Sequence, residues 1–191
     1  MQVSQYDQIL VAISFIVAIM AAYTALNMAG RVSTNPGKAG WLWLAGGGLA
    51  LGIGIWAMHF IGMLAMALTM SMSYDPLLTG LSMLIAVGSS LFALWLVSTS
   101  QLRLRRLLPG SLVMGCGIAG MHYTGMAALE VSPPIVWDMR WVTISLLIAL
   151  GASLAALWLT FRLRHEAAQV AQMRAGAAIL MGIAIAGMHY T

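Results

Sequence analysis

The sequence predicts an all-α fold, a polytopic membrane helix bundle of three tandem two-helix repeats, and three observations carry that prediction. The first is composition. Of 191 residues, 61% are hydrophobic and only 7% charged, against roughly 25% charged in soluble domains, and the mean hydropathy is +0.92. The second is that apolar runs close to the ~20 residues needed to cross a bilayer recur along the whole chain. The third is a repeated word: Met58-His59-Phe60-Ile61, Met121-His122-Tyr123-Thr124 and Met188-His189-Tyr190-Thr191 each set a histidine inside such a run. An ionisable side chain in that setting is costly and marks function by default.

Taken in order, the spans are 9–28, 41–68, 77–97, 111–129, 141–161, and a sixth from about 175 that is cut at 191. Turn signals separate them: Asn35-Pro36-Gly37, Tyr74-Asp75-Pro76, Pro109-Gly110 and Ser132-Pro133-Pro134. Eight of the nine basic residues fall in the first, third and fifth connections: Arg31 and Lys38, then Arg103, Arg105 and Arg106, then Arg162, Arg164 and Arg174. The other connections hold Asp75, Glu130, Asp138 and one basic residue, Arg140. The positive-inside rule therefore expects the amino terminus outside and the odd connections in the cytoplasm. Trp41, Trp43, Trp137 and Trp141 lie near span ends, where interfacial anchors belong. The net charge of +4 is thus a topology signal and not the footprint of a nucleic-acid-binding protein. Cys116 is the only cysteine, which rules out an intramolecular disulfide. The first apolar run lacks the basic start and cleavage site of a signal peptide. Residues 175–191 barely make a span, and the third motif ends without a turn. The natural chain is expected to complete span six, return through a seventh span and continue into a soluble output domain.

The motif histidines are spaced by 63 and 67 residues. Each interval contains two crossings, so all three copies run in one direction and their histidines share a depth. The repeat extends further, since Ser90-Leu91-Phe92-Ala93-Leu94-Trp95-Leu96 matches Ser153-Leu154-Ala155-Ala156-Leu157-Trp158-Leu159 at the same spacing of 63. The unit is one plain helix followed by one motif helix, and parallel duplication of this kind builds membrane sites between helices. On the helical wheel Met63 and Met126 fall about 40° from their histidines, one turn further out, whereas Met58, Met121 and Met188 lie about 100° away. Gly52, Gly115 and Gly182, seven residues before each histidine, fall about 20° from it and leave room beneath the ring. Met66 and Met70 extend the first copy's methionine face outward. The histidines should lie roughly 10–14 Å below the outer helix ends, at ~1.5 Å per residue.

Imidazole serves copper, zinc and iron, and thioether sulfur selects copper(I). The motifs hold no carboxylate, which argues against magnesium, calcium or manganese. Copper is the expected cofactor, with zinc as the alternative. Its candidate ligands are His59, His122 and His189 with Met63 and Met126, and Met58, Met121 and Met188 form a second tier. Tyr123 and Tyr190 could orient the imidazoles by hydrogen bonding, although Phe60 stands at that place in the first copy. A bland reading exists for each: the histidines as a hydrogen-bonded cluster, the methionines as core filler, Cys116 as a small packing residue, His165 as a solvated surface residue. The sequence leaves open whether the histidines form one site or three.

These residues resemble the three signature motifs of the MHYT domain, and the resemblance covers essentially the whole chain. It implies that residues 1–191 are an MHYT membrane sensor domain, incomplete at its C-terminus. It further implies a seven-span bacterial sensor with motifs near the outer face, proposed to bind copper and to sense oxygen, carbon monoxide or nitric oxide. In many members the domain precedes cytoplasmic GGDEF and EAL domains, which make and break cyclic di-GMP. The first copy departs from the pattern with Phe60-Ile61 for Tyr-Thr. The expected function is a sensory input module with the lipid bilayer, a diatomic gas and a GGDEF/EAL-type output domain as partners. No catalytic activity is expected, because nothing resembles a nucleotide-cyclising or phosphodiester-cleaving site. Two other classes compete: a copper or proton transporter, and a structural bundle using histidine hydrogen bonds.

Overall fold

The computed structural model describes residues 6–35, 37–66, 72–98, 104–131, 137–163 and 168–191, with the side chains of 104 and 168–171 excepted. Among the described residues there are six helices: α1 (Gln8–Thr34), α2 (Lys38–Ala65), α3 (Pro76–Ser98), α4 (Leu104–Ala127), α5 (Met139–Arg162) and α6 (Ala168–His189). Two short strands, β1 (Ser73–Tyr74) and β2 (Leu129–Glu130), pair antiparallel, with Ser73 opposite Glu130 and Tyr74 opposite Leu129.

Each helix packs on its chain neighbours, and α6 closes the set onto α1, so the bundle is a ring. Asp7 starts α1 by accepting from the amides of Ile9 and Leu10, Asp75 accepts from Leu78 at the start of α3, and Asp138 accepts from Arg140 at the start of α5. These carboxylates satisfy amides that the first helical turn leaves unpaired. The amide of Asp7 donates to Ala65 O at 2.7 Å and that of Asp75 to Ala128 O at 2.8 Å. The start of a plain helix is thereby tied to the end of the motif helix that follows it. With no water to satisfy backbone groups in the hydrocarbon, such ties belong at the membrane boundary.

Glycines set the closest helix approaches. A Cβ on Gly52 would meet the Val87 backbone at 2.5 Å, one on Gly115 Leu150 at 2.7 Å, and one on Gly182 Ile19 at 2.5 Å. The helical wheel gives these three equivalent glycines the task of leaving room under the imidazoles. Instead they bring α2 against α3, α4 against α5 and α6 against α1, the role small residues play where apolar helices gain nothing from water exclusion.

Several boundaries differ from the sequence expectation. The helix α2 stops at Ala65, and Met66 caps it in extended conformation, bridging to Tyr6, so Met66 is not on the helical face that carries Met63. Met70 and His165, like Arg103, Arg164 and the Pro36 and Pro133-Pro134 turns, lie outside the described residues. Helices α4 and α6 start earlier than expected, at Leu104 and Ala168, so that Arg105, Arg106 and Arg174 are helical and not in loops. The sequence predicts six spans. Among the described residues, four helices (α1, α2, α3 and α5) are long and apolar enough to cross a membrane by length and composition. The glycines, His122 and Tyr123 lower the hydropathy of α4, and Gln172, Arg174 and His189 lower that of α6. Cys116, expected as a packing residue, is exposed on the outside of the bundle.

Candidate metal centre

The three motif helices bring His59, His122 and His189 to one place. His59 Nδ1 lies 3.0 Å from His189 Nδ1 and 3.2 Å from His122 Nδ1, and one ligand atom from each histidine lies within 4.8 Å of the others. The rings meet edge to face, with centroids 4.8 to 5.4 Å apart. His59 is wholly buried and His122 is 6% exposed. One site, not three, is what the fold assembles.

Two glycines make this convergence possible. A Cβ on Gly125 would collide with the His59 imidazole, and a Cβ on Gly62 with that of His189. Each of these histidines thus rests on the glycine that follows another motif's histidine by three residues. The helix ends also place the site nearer the surface than expected. His59 precedes the end of α2 by six residues and His122 precedes that of α4 by five. That corresponds to roughly 8–9 Å at ~1.5 Å per residue.

The donor set fits an ion. Each Nδ1 has one in-plane position, usable for a proton or a lone pair but not both. His59 Nδ1 faces two other Nδ1 atoms at once, so linear hydrogen bonds cannot serve both contacts. Three ligands turned toward one centre would give a similar arrangement, since metal–nitrogen distances of about 2.0–2.1 Å hold ligand atoms about 3.3–3.6 Å apart, slightly wider than the 3.0 and 3.2 Å found here. His59 Nε2 is buried without a partner among the described residues. Neutral imidazole and thioether, without carboxylate, remain the donors of a soft or borderline metal.

The methionines divide. Met63 is 2% exposed. Met126 lines an open cleft of about 280 Å³ that also reaches His122, His189, Tyr123, Tyr190 and Trp137. Met58 and Met121 belong to one apolar cluster with Ala18, Leu51, Ile55 and Ala86, and Met188 belongs to a second, larger one. The second-tier methionines are core residues there.

The tyrosines do not bond the imidazoles. Tyr123 OH pairs with Ser145 on α5, and Tyr190 OH pairs with Ser14 on α1 at 2.9 Å. The serines already donate to Val142 O and Val11 O, so each tyrosine is the donor. Where the first copy has Phe60, Ser82 on α3 donates to Thr79 O and accepts from Trp56 Nε1 at 3.1 Å. The tyrosine rings still wall the site, at 4.9 Å between His122 and Tyr123 centroids and 4.7 Å between His189 and Tyr190. Sequence reading misses Ser14, Ser82, Ser145 and Trp56. A signal exists: each serine follows its helix-starting aspartate by seven residues, as Asp7/Ser14, Asp75/Ser82 and Asp138/Ser145.

A ring of apolar helices enclosing a histidine triad defines a multi-pass membrane module with a buried histidine cluster. The chain belongs to the MHYT family, described as a bacterial signalling protein N-terminal repeat, which matches residues 52–110 and 115–173. Its relatives include the bifunctional diguanylate cyclase/cyclic di-GMP phosphodiesterase MucR of Pseudomonas aeruginosa, 58% identical over 191 residues, covering 100% of this chain and 28% of the relative. The cyclic di-GMP phosphodiesterase NbdA of the same species is 39% identical, covering 97% of this chain and 24% of that protein. The signaling protein YkoW of Bacillus subtilis is 37% identical over 97% of this chain and 23% of its own length. The chain therefore spans about a quarter of these relatives, and it corresponds to a sensor domain, not a catalytic one. No solved structure matches it.

Proposed function

We propose that this chain is the sensory input module of a cyclic di-GMP signalling protein, holding copper at His59, His122 and His189 in the outer part of the inner membrane. The carrying observation is the approach of the His122 and His189 Nδ1 atoms to the single Nδ1 of His59, which hydrogen bonding alone does not satisfy. A bound copper supplies a redox-active centre able to take a diatomic ligand such as oxygen, carbon monoxide or nitric oxide. Around it, Met63 and Met126 are the thioethers poised to assist. The cleft that reaches His122 and His189 offers a small ligand a route from outside, while His59 is sealed in the bundle. The amino terminus outside follows from the basic residues at the opposite helix ends. Because motif helices touch both neighbours in the ring, a shift at the triad is expected to reach a cytoplasmic output domain that makes or breaks cyclic di-GMP, the activity named for MucR and NbdA.

Sensing is favoured over transport by what lies below the site. Toward the inner side the bundle narrows to a gap of about 20 Å³ lined by Leu51, Leu94, Val97, Thr160 and Met181, too small to pass a hydrated ion. Metal analysis of purified protein tests the reading. Wild type should carry close to one copper per chain, and the His59→Ala/His122→Ala/His189→Ala variant should carry almost none. Equal, negligible copper in both sinks the proposal.

A further inference from the structure

A second cleft, of about 410 Å³, lies at the opposite end of the bundle between α3 and α4. Phe92, Trp95 and Leu96 of α3 and Pro109 and Val113 of α4 form its walls, and Arg105 and Arg106 stand at its rim. Gly110 brings the helices together at its floor, since a Cβ there would collide with the Leu96 side chain. Both arginines are exposed. Among the described residues every carboxylate (Asp7, Asp75, Glu130, Asp138) belongs to the other end of the ring, so none of these anions neutralises the pair.

The internal repeat sharpens the contrast. Trp158 of α5 is covered by Arg162, four residues on, whose guanidinium carbon lies 5.2 Å from the ring centroid. Trp95 is its counterpart 63 residues earlier, but the position matching Arg162 is Thr99, which carries no charge. Trp95 is 49% exposed and shares its cleft with arginines of the next helix. A cation pair above an apolar trough at a helix boundary is complementary to a lipid: phosphate at the rim, acyl chain along the aromatic wall. Basic pockets between membrane helices on the cytoplasmic side recognise anionic headgroups in this way.

We propose that the α3–α4 cleft is a binding site for an anionic phospholipid, held through its phosphate by Arg105 and Arg106. The apolar walls select lipid over free phosphate. The test places the intact protein in nanodiscs of phosphatidylcholine with a minor share of phosphatidylglycerol, one or the other carrying brominated chains. Quenching is read as the fluorescence lost in wild type but not in Trp95→Phe. Brominated phosphatidylglycerol should occupy the cleft with about 30-fold preference over phosphatidylcholine, given about 1 kcal/mol for each of the two arginines. Arg105→Gln/Arg106→Gln should abolish the preference, Arg105→Lys/Arg106→Lys should largely keep it, and Arg162→Gln should leave it unchanged. Equal quenching by the two lipids in wild type overturns the proposal. So does a preference that survives the double glutamine variant, or one that millimolar inorganic phosphate removes.

Discussion

Gly62 and Gly125 decide whether three imidazoles can share a centre, because each lies where any side chain would displace a ligand ring. Gly125→Ala should push His59 aside and lower copper affinity by about 10- to 100-fold, the range seen when groups that orient ligands are changed. Gly187→Ala, with open space around its Cβ, should bind copper like wild type, and a titration with a copper(I) competitor compares them. Equal affinities for the two variants would remove Gly125 from the site. The histidines are legible at this scale because an intramembrane imidazole announces itself, and because two crossings per repeat fix a common depth. The glycines beneath them are not. A helical wheel ranks directions around one axis, whereas the group that Gly125 faces sits on another helix, in the preceding copy of the repeat. The tyrosine hydroxyls are misread for the same reason: Ser14 and Ser145 come from helices no single-helix wheel includes.

At the scale of elements, each plain helix offers one serine to a neighbouring motif helix. Ser145→Ala and Tyr123→Phe should each lower stability, and the double variant should lose less than their sum, with a coupling of about 0.6 kcal/mol, typical of hydrogen bonds between membrane helices. Unfolding in mixed detergent measures the cycle, and strict additivity would show the pair to be incidental. Helix number and order are legible from hydropathy and turn residues. Helix ends are less so, because loop charges indicate which side a connection occupies but not where the backbone stops being helical. Arg105 and Arg106 belong to α4 and Arg174 to α6. Arg174 is tolerated within its helix because its Nε donates to Leu163 O at 2.9 Å and its Nη1 to Asn27 Oδ1 at 3.2 Å. The β1–β2 clip escapes sequence reading altogether, since two-residue strands leave no alternation to read.

For the whole molecule, the ring has a charged polarity: aspartates begin α1, α3 and α5 at one end, and the described arginines other than Arg140 gather at the other. In a Cys116→Ala background, Gln8→Cys should react with a membrane-impermeant maleimide added to intact cells, and Lys38→Cys should react only after permeabilisation. The reverse pattern would invert the topology and put the histidine site at the inner face. Ring closure itself is not legible in the sequence, because an even number of spans is equally compatible with an open row. Its geometry follows a cyclic rule, in which His59 on α2 lies on Gly125 of α4 and His189 on α6 lies on Gly62 of α2. The serine contacts run the same way, from α4 to α5 and from α6 to α1. A contact that always points to the next unit is the signature of a heterologous interface that closes on itself. A single helix pair would therefore carry the contacts by which three copies could close around one histidine triad. Joining the units in one polypeptide lets them differ, and the first carries Phe60 and Trp56 where the others carry Tyr123 with Ala119 and Tyr190 with Ala186.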